Sequence, residues 1–157
     1  MTKTKRNYII MAMKKLIILL AAVACLFAGC TENKQTGTHG NVDINVQSVV
    51  FVAEGEYTSV KDYLDALAAD GELVYGGKEG DYGFYIEYIY NTKAEGNSFW
   101  ALYTDLVTID GDDTVYSSAE FGTFAYGGKT LFSASYGVSG LPCISGHTYA
   151  LVYTVLQ

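Results

Sequence analysis

The hydrophobic pattern changes its period several times along this chain. Val42, Ile44 and Val46 alternate with polar residues, and an apolar run follows from Val49 to Val52. Alternation with a period of two is typical of a strand that buries one face. The pattern therefore predicts that the folded part of the chain opens with a β-strand.

The segment from Tyr57 to Gly71 has helical periodicity instead. Its apolar residues recur at spacings of three and four, which places them on one face of an α-helix. They are Val60, Tyr63, Leu64, Leu67 and Ala68. Thr58 or Ser59 can cap the first amides, Asp62 suits the positive first turn, and Gly71 can end the helix in the left-handed conformation.

The rest of the chain has the pattern of short strands separated by Gly-rich turns. The predicted strands are Leu73–Tyr75, Gly83–Tyr90, Ser98–Val107, Thr123–Tyr126, Lys129–Ser135 and His147–Leu156. The pair Gly127-Gly128 predicts a tight hairpin. One helix packed on a mixed sheet is an α+β fold, and the order strand, helix, strands is compatible with a β-grasp-like arrangement.

Composition and charge narrow the class of protein. The 157 residues are half hydrophobic and include 14 Tyr and 17 Gly, which is too apolar for a disordered chain and too rich in Tyr and Gly for a helical bundle. Five of the ten basic residues and none of the 17 acidic residues precede Cys30. The part after Cys30 is therefore strongly acidic and repels phosphate backbones, so we expect no nucleic-acid partner.

The basic N-terminal segment has the features of an export signal. Residues 16–29 are apolar and follow Lys14 and Lys15. A run of this length suits a signal peptide better than a membrane span, which needs roughly 20 residues. The run ends in Leu-Phe-Ala-Gly-Cys, which resembles the bacterial lipobox and implies that Cys30 carries a lipid. A plain secretory signal or a core helix is the alternative, and translation can begin at Met1 or at Met13.

These features predict three regions. Residues 1–29 are the signal peptide, residues 30–41 are the lipidated Cys30 and a flexible polar tether, and residues 42–157 are one domain. The lipid would hold the protein at the membrane, with the domain outside the cytoplasm, at the cell surface or facing the periplasm. Cys25 would leave with the signal and Cys30 would be lipidated, so that Cys143 remains without a partner for a disulfide.

Five segments taken together are similar to one known family. They are Thr58–Leu67, Gly83–Ile86, Ser98–Tyr103, Ser135–Pro142 and Tyr149–Tyr153. The set spans nearly all of Val46 to Thr154 and resembles the transcobalamin-like C-terminal domain, a bacterial domain of unknown function. The Phe99-Trp100-Ala101-Leu102 core is also similar to the C-terminal domain of the vertebrate cobalamin carriers.

The resemblance implies a fold and a class of ligand. In the carriers, a β-grasp-like domain covers one side of a corrinoid while a helical domain holds the other side. The present sequence predicts no helical domain beside the strand-rich one, and it has Ala101 and Tyr103 within the Trp segment. The resemblance therefore implies the fold and a corrinoid-like ligand, but not a residue-by-residue transfer of the carriers' contacts.

Two segments are the best candidates for a ligand site. On a strand, Phe99 and Tyr103 share one face and Trp100 the other, so one aromatic should stay outside the core. Tyr and Trp suit a flat macrocycle with amide edges, since each combines a rigid apolar face with a polar tip. The loop from Ser135 to Cys143 is long and rich in small residues, and such loops often bind ligands. The predicted ligand-binding residues are Phe99, Trp100, Tyr103, Tyr136, Val138 and Leu141. The alternatives are that Trp100 is a central core residue and the loop an ordinary connection.

Other candidate sites have weaker signals. The acidic turn Asp110–Asp113 lacks the full ligand spacing of a calcium loop, so a solvated turn is favoured. His147 has no paired ligand, and Cys143 has no adjacent acid for thiol chemistry. The sequence also lacks nucleophile–base, phosphate-loop and metal-spacing motifs. We therefore expect neither an enzyme nor a required metal or cofactor.

The function that the sequence predicts is binding at the cell surface. The domain would capture a corrinoid, or a similar macrocycle, and pass it to a membrane transporter. The alternative is a domain that binds a protein or a cell-wall component through a tyrosine-rich sheet face, as in adhesion, because aromatic side chains favour such contacts.

Overall fold

The computed structural model describes residues 34–37, 39–45 and 47–157. The predicted signal peptide, Cys30 and Val46 lie outside the described residues. The strands are β1 (Lys34–Gly37), β2 (Gly40–Ile44), β3 (Ser48–Val52), β4 (Tyr75–Gly80), β5 (Gly83–Ile89), β6 (Thr92–Lys93), β7 (Ser98–Thr104), β8 (Ser117–Tyr126), β9 (Lys129–Ala134) and β10 (Thr148–Val155), and the helix α1 spans Val60–Ala69. The described residues are thus mostly β-strand with one short helix.

The strands form two sheets. The larger has the order β1-β2-β3-β10-β7-β9-β8, and the smaller has the order β4-β5-β6. Every pairing in both sheets is antiparallel, so the predicted mixed sheet is wrong. Parallel neighbours need a long crossover between them. Here α1 leads from β3 into the smaller sheet and not to a neighbour of β3, so no such crossover arises.

The predicted first strand is in fact a hairpin. The Asn45 side chain accepts hydrogen bonds from the amides of Gln47 and Ser48, both at 2.8 Å, which turns the chain between β2 and β3. Asn favours turns because its side chain can bond its own backbone in this way. β1 lies within the expected tether of residues 30–41 and pairs with β2, which continues beyond the tether to Ile44. This pairing differs from the expectation because strand pairing uses backbone groups and needs no apolar side chains.

The helix follows its sequence signals closely. Ser59 is the N-cap, its hydroxyl accepts from the amide of Asp62, and the Asp62 carboxylate accepts from the amide of Ser59 in return. Such a reciprocal capping box satisfies two of the free amides at the helix start. After the helix, Gly71 takes the left-handed conformation with φ +76°. Of the two caps that the sequence allowed, Ser59 is therefore the one used.

One face of the larger sheet packs against α1 and the smaller sheet, and we call it the helix-side face. Phe51 stacks on Tyr63 of the helix at 4.8 Å between ring centroids and on Tyr149 at 5.5 Å. The same core includes Leu67 of the helix and Ile86 of the smaller sheet. The helix and the smaller sheet together therefore form a second layer over this face.

The opposite face, the hairpin-side face, is covered by the β8–β9 hairpin. Gly127 and Gly128 both have positive φ, which confirms the predicted tight turn. Leu131 is buried with Val50 and Ala150, although β9 is not adjacent to β3 or β10 in the sheet. Tyr126 of β8 donates a hydrogen bond to Asp43 of β2 at 2.7 Å. The hairpin must therefore bend back across this face.

Candidate functional site

A groove of about 480 Å³ opens beside β7, where it meets the smaller sheet. Its walls come from three stretches of chain: the β4–β5 turn with β5 (residues 80–86), β7 (residues 99–102) and the end of β9 with the following loop (residues 133–138). Its volume lies within the range of about 300–1,000 Å³ that is usual for small-molecule pockets. The groove is therefore large enough for a small ligand or for part of a larger one.

The groove follows the edge of β7. Trp100 and Leu102 belong to the helix-side face, whereas Phe99 and Ala101 point to the other face, yet all four line the groove. Side chains on alternate faces of a strand can line one groove only if it runs along the strand's edge. β10 pairs with all of β7, whereas β9 reaches only Tyr103 and Thr104. The groove lies where β9 has left the edge of β7 uncovered.

Trp100 lines the groove with a side chain that is only 9% exposed. It packs edge-on against Tyr153, with 5.6 Å between ring centroids, and the Tyr153 hydroxyl donates to Ser98 at 2.8 Å. The indole Nε1 of Trp100 is buried and has no acceptor among the described residues. A buried donor without an acceptor costs about 1–3 kcal/mol, which makes this position unusual in a folded domain.

Exposed tyrosines surround the mouth of the groove. Tyr82 is fully exposed at the β4–β5 turn, and Tyr85 and Tyr136 are each more than 40% exposed. The ring of Tyr136 lies 5.9 Å from that of Tyr116. Tyr side chains offer an apolar ring and a polar tip at little entropic cost, so this rim suits a ligand with both apolar and hydrogen-bonding parts.

The loop that forms the third wall is held firmly. The amides of Val60 and Lys61 at the start of α1 donate to the carbonyls of Leu141 and Val138, both at 2.8 Å. These amides have no partner within the helix, so the loop satisfies them. The Ser139 hydroxyl accepts from the amide of Phe84 in β5 at 3.0 Å. The loop is thus tied to both the helix and the smaller sheet.

The structure brings together four of the six predicted ligand-binding residues. Phe99, Trp100, Tyr136 and Val138 line the groove. Tyr103 lies outside it, on the hairpin-side face, where its ring packs 5.9 Å from that of Phe124. Leu141 is also outside and fully buried, because its backbone is bonded to the helix start and its side chain enters the main core.

The wall that comes from the smaller sheet could not be predicted from the sequence. Asp81, Tyr82, Phe84 and Ile86 all line the groove. The available signal was the short turn between Gly80 and Gly83, which leads into an aromatic strand. That signal marks a hairpin, but nothing in it shows that the hairpin faces β7. Among the described residues, Asp81 is the only charged residue that lines the groove.

The acidic turn and His147 have structural partners. Asp112 accepts from the amide of Thr114 and from the hydroxyl of Tyr116, and hydrogen bonding to the side chains of Thr114 and Tyr116 holds its pKa below the ordinary value. His147 Nδ1 lies 3.0 Å from the carboxylate of Asp105. Within the residues that the structure describes, no group of three or more His, Cys, Asp or Glu side chains is arranged to hold a metal.

Two further observations concern Asp105 and Cys143. Burial alone would raise the pKa of Asp105, but hydrogen bonds from the Thr148 amide, Lys129 and His147 outweigh it and hold the pKa below its ordinary value. Burial raises the pKa of the Cys143 thiol to about 12, so the reactive thiolate is scarce at neutral pH.

Within residues 34–37, 39–45 and 47–157, no helix has the length and hydrophobicity needed to span a bilayer.

Comparison with known proteins adds no relative to this description. No family model matches the chain, and no curated protein is significantly similar to it.

Proposed function

We propose that this domain is a binding module that captures a corrinoid, or a similar flat macrocycle, in the groove beside β7. The observation that carries the proposal is the meeting of Phe99 and Trp100 with Tyr136 and Val138 in one groove. The resemblance to the transcobalamin-like C-terminal domain leads to the same ligand class.

The geometry supports capture from one side. A corrinoid is larger than a drug-sized ligand, so a groove of about 480 Å³ would hold one edge of the ring system. The tyrosine rim would contact the ring face and its amide groups, as the exposed rings of Tyr82 and Tyr136 allow. Because much of the ligand would stay in solvent, the affinity of one domain should be modest unless a second protein completes the site.

The proposal includes the location of the domain. Lipid at Cys30 would keep the domain at the membrane, where it could pass its ligand to a transporter subunit. Replacing Cys30 with Ala should move the protein from the detergent phase to the aqueous phase in a phase-partition experiment. Unchanged partition would exclude the lipid anchor without affecting the proposal for the groove.

Calorimetry with cobinamide and cobalamin tests the ligand directly. We expect saturable heat of binding with the wild-type chain and at least a fivefold weaker affinity for Tyr136→Ala, or about 1 kcal/mol, as for an aromatic contact residue. Phe121→Ala is the matched control, because Phe121 is 75% exposed and lies outside the groove. The absence of heat at millimolar ligand, or equal effects of the two variants, would exclude the groove as a corrinoid site.

A further inference from the structure

The edge of β7 along the groove has no neighbouring strand. Every residue from Ser98 to Thr104 is in register with β10, but on the other side β9 pairs only with Tyr103 and Thr104. None of the described strands pairs with residues 98–102 on that side. An unpaired strand edge presents backbone N–H and C=O groups in a row. This row forms one wall of the groove.

The hydrogen bonds of β7 show which backbone groups face the groove. The amide of Asp105 donates to the carbonyl of Thr148, and the amide of Leu156 donates to the carbonyl of Asn97. Successive residues of an antiparallel strand direct their backbone groups alternately to the two sides. Odd-numbered residues of β7 therefore bond to β10, and Trp100 and Leu102 direct their backbone groups away from β10.

The opposite wall of the groove is a second strand edge. β5 pairs with β4 along its length, whereas β6 pairs only with Tyr88 and Ile89. Residues 83–86 of β5 line the groove on the edge that β6 leaves open. On this edge the amide of Phe84 donates to the hydroxyl of Ser139 at 3.0 Å. The groove is thus a slot between two strand edges.

We propose that the edge of β7 at Trp100 and Leu102 binds an extended, basic segment of a partner protein by strand addition. In strand addition, backbone hydrogen bonds supply affinity and alternate side chains supply specificity. One row of partner side chains would contact Trp100, Ile86 and Val138, and the other would contact Phe99 and Ala101. This proposal goes beyond corrinoid capture and does not depend on it.

The charge of the groove selects the partner. Asp81 is the only charged residue among the described residues that line the groove, and it lies at the turn where the groove meets solvent. The part of the chain after Cys30 has five basic and 17 acidic residues. A segment with a Lys or Arg near one end therefore complements the groove, whereas an acidic segment would be repelled. A corrinoid bound in the groove and such an extended segment would occupy the same space beside Trp100, so each should exclude the other.

Hydrogen exchange at single amides tests strand addition. The probe is the peptide acetyl-Thr-Val-Thr-Val-Thr-Lys-amide, added to the full-length chain in detergent and followed by NMR. We expect exchange at the Trp100 and Leu102 amides to slow by at least about tenfold, since these groups gain hydrogen bonds. The Phe99 and Ala101 amides, which already face β10, should keep their rates and serve as internal controls. Equal change at all four amides, or no change at any, would overturn the proposal.

A charge variant tests the chemistry of the partner. Asp81→Asn should weaken binding of the same peptide about two- to fivefold, as expected for a partly exposed ion pair. Asp110→Asn, which alters an exposed acid outside the groove, should leave the affinity unchanged. Equal affinities for Asp81→Asn and wild type would contradict the basic partner. Cobinamide binding is measured separately on the same protein sample. Because binding of the peptide and binding of cobinamide can each fail without the other, the two results distinguish the two proposals.

Discussion

The two faces of the larger sheet are covered in different ways. The helix-side face packs against a separate layer, in which α1 and the smaller sheet share one core with Phe51, Leu102 and Leu151. The hairpin-side face is covered by β8 and β9 of the same sheet, which bend back so that Leu131 reaches Val50 and Ala150. Both a separate layer and a bent sheet bury apolar surface. They differ in what lies at the edge of the surface that each one covers.

The difference explains where the groove lies. Tyr126 donates a hydrogen bond to Asp43, and Lys129 donates one to Asp105. These two bonds hold the edges of the hairpin against the rest of the sheet. The second layer ends beside β7, where β5 approaches that strand without pairing with it. The seam between the layers thus places the largely buried Trp100 beside the groove, while Tyr103, three residues on, packs against Phe124 under the hairpin. A candidate site arises at this seam because neither cover extends over it.

The largest difference between the two covers should appear when a leucine is truncated. Leu67→Ala beneath the helix should lower the free energy of unfolding by about 2–5 kcal/mol, because it leaves a cavity among fully buried neighbours. Leu131→Ala beneath the hairpin should fall at the lower end of that range. Its neighbours Tyr103, Phe124 and Tyr126 are only partly buried and can relax into the space. Urea denaturation measures both, and an equal or larger loss for Leu131→Ala would contradict the comparison.

The hairpin cover should depend on its hydrogen bond to β2. Tyr126→Phe removes the hydroxyl that donates to Asp43 and should lower the free energy of unfolding by about 1 kcal/mol. Tyr82→Phe is the control, since Tyr82 is fully exposed and its change should stay within about 0.5 kcal/mol of zero. If both variants match wild type in the same denaturation experiment, this bond does not hold the hairpin in place.

A smaller and pH-dependent effect is expected where Asp105 fixes the hairpin through Lys129. The pKa of Asp105 is lower in the folded protein than its ordinary value, so its ionised form stabilises the fold. This stabilisation is complete above the unfolded pKa of about 3.9 and is lost as the pH falls through the folded value. The difference in stability between wild type and Asp105→Asn should therefore shrink as the pH is lowered from about 5.

Thermal unfolding across this pH range measures the effect. Lys129→Met should reproduce part of the loss at neutral pH, because it removes one of the groups that stabilise the carboxylate. A constant difference between wild type and Asp105→Asn at every pH would show that the carboxylate's charge contributes nothing to holding the hairpin.

Local features of the fold could be predicted from the sequence. The helix was placed by its apolar period and by Ser59 and Gly71, all of which act within a few residues. The Gly127-Gly128 turn was likewise predicted, because two adjacent left-handed residues have few alternatives to Gly. The turn at Asn45 was missed, since it lacks Gly and interrupts an apolar pattern that otherwise continues from Val42 to Val52.

Features that depend on distant contacts could not be predicted in the same way. Alternation along β7 showed that Trp100 and Tyr103 face opposite sides, but not which side opens to solvent. That depends on where β9 leaves the edge of β7 and where the smaller sheet ends. For the same reason the sequence predicted a mixed sheet and overlooked Tyr82 and Phe84 of the opposite wall. Hydrophobic periodicity describes each strand separately, whereas the groove depends on where several strands end relative to one another.

The fluorescence of Trp100 tests most directly whether the seam beside β7 is a ligand site. Trp100 is the only Trp in the chain, so its emission reports on the groove alone. In a titration with cobinamide, corrected for ligand absorbance, we expect quenching that saturates, with a midpoint that agrees with the calorimetric affinity. Quenching that only rises linearly with ligand, or an emission that does not change, would contradict the account.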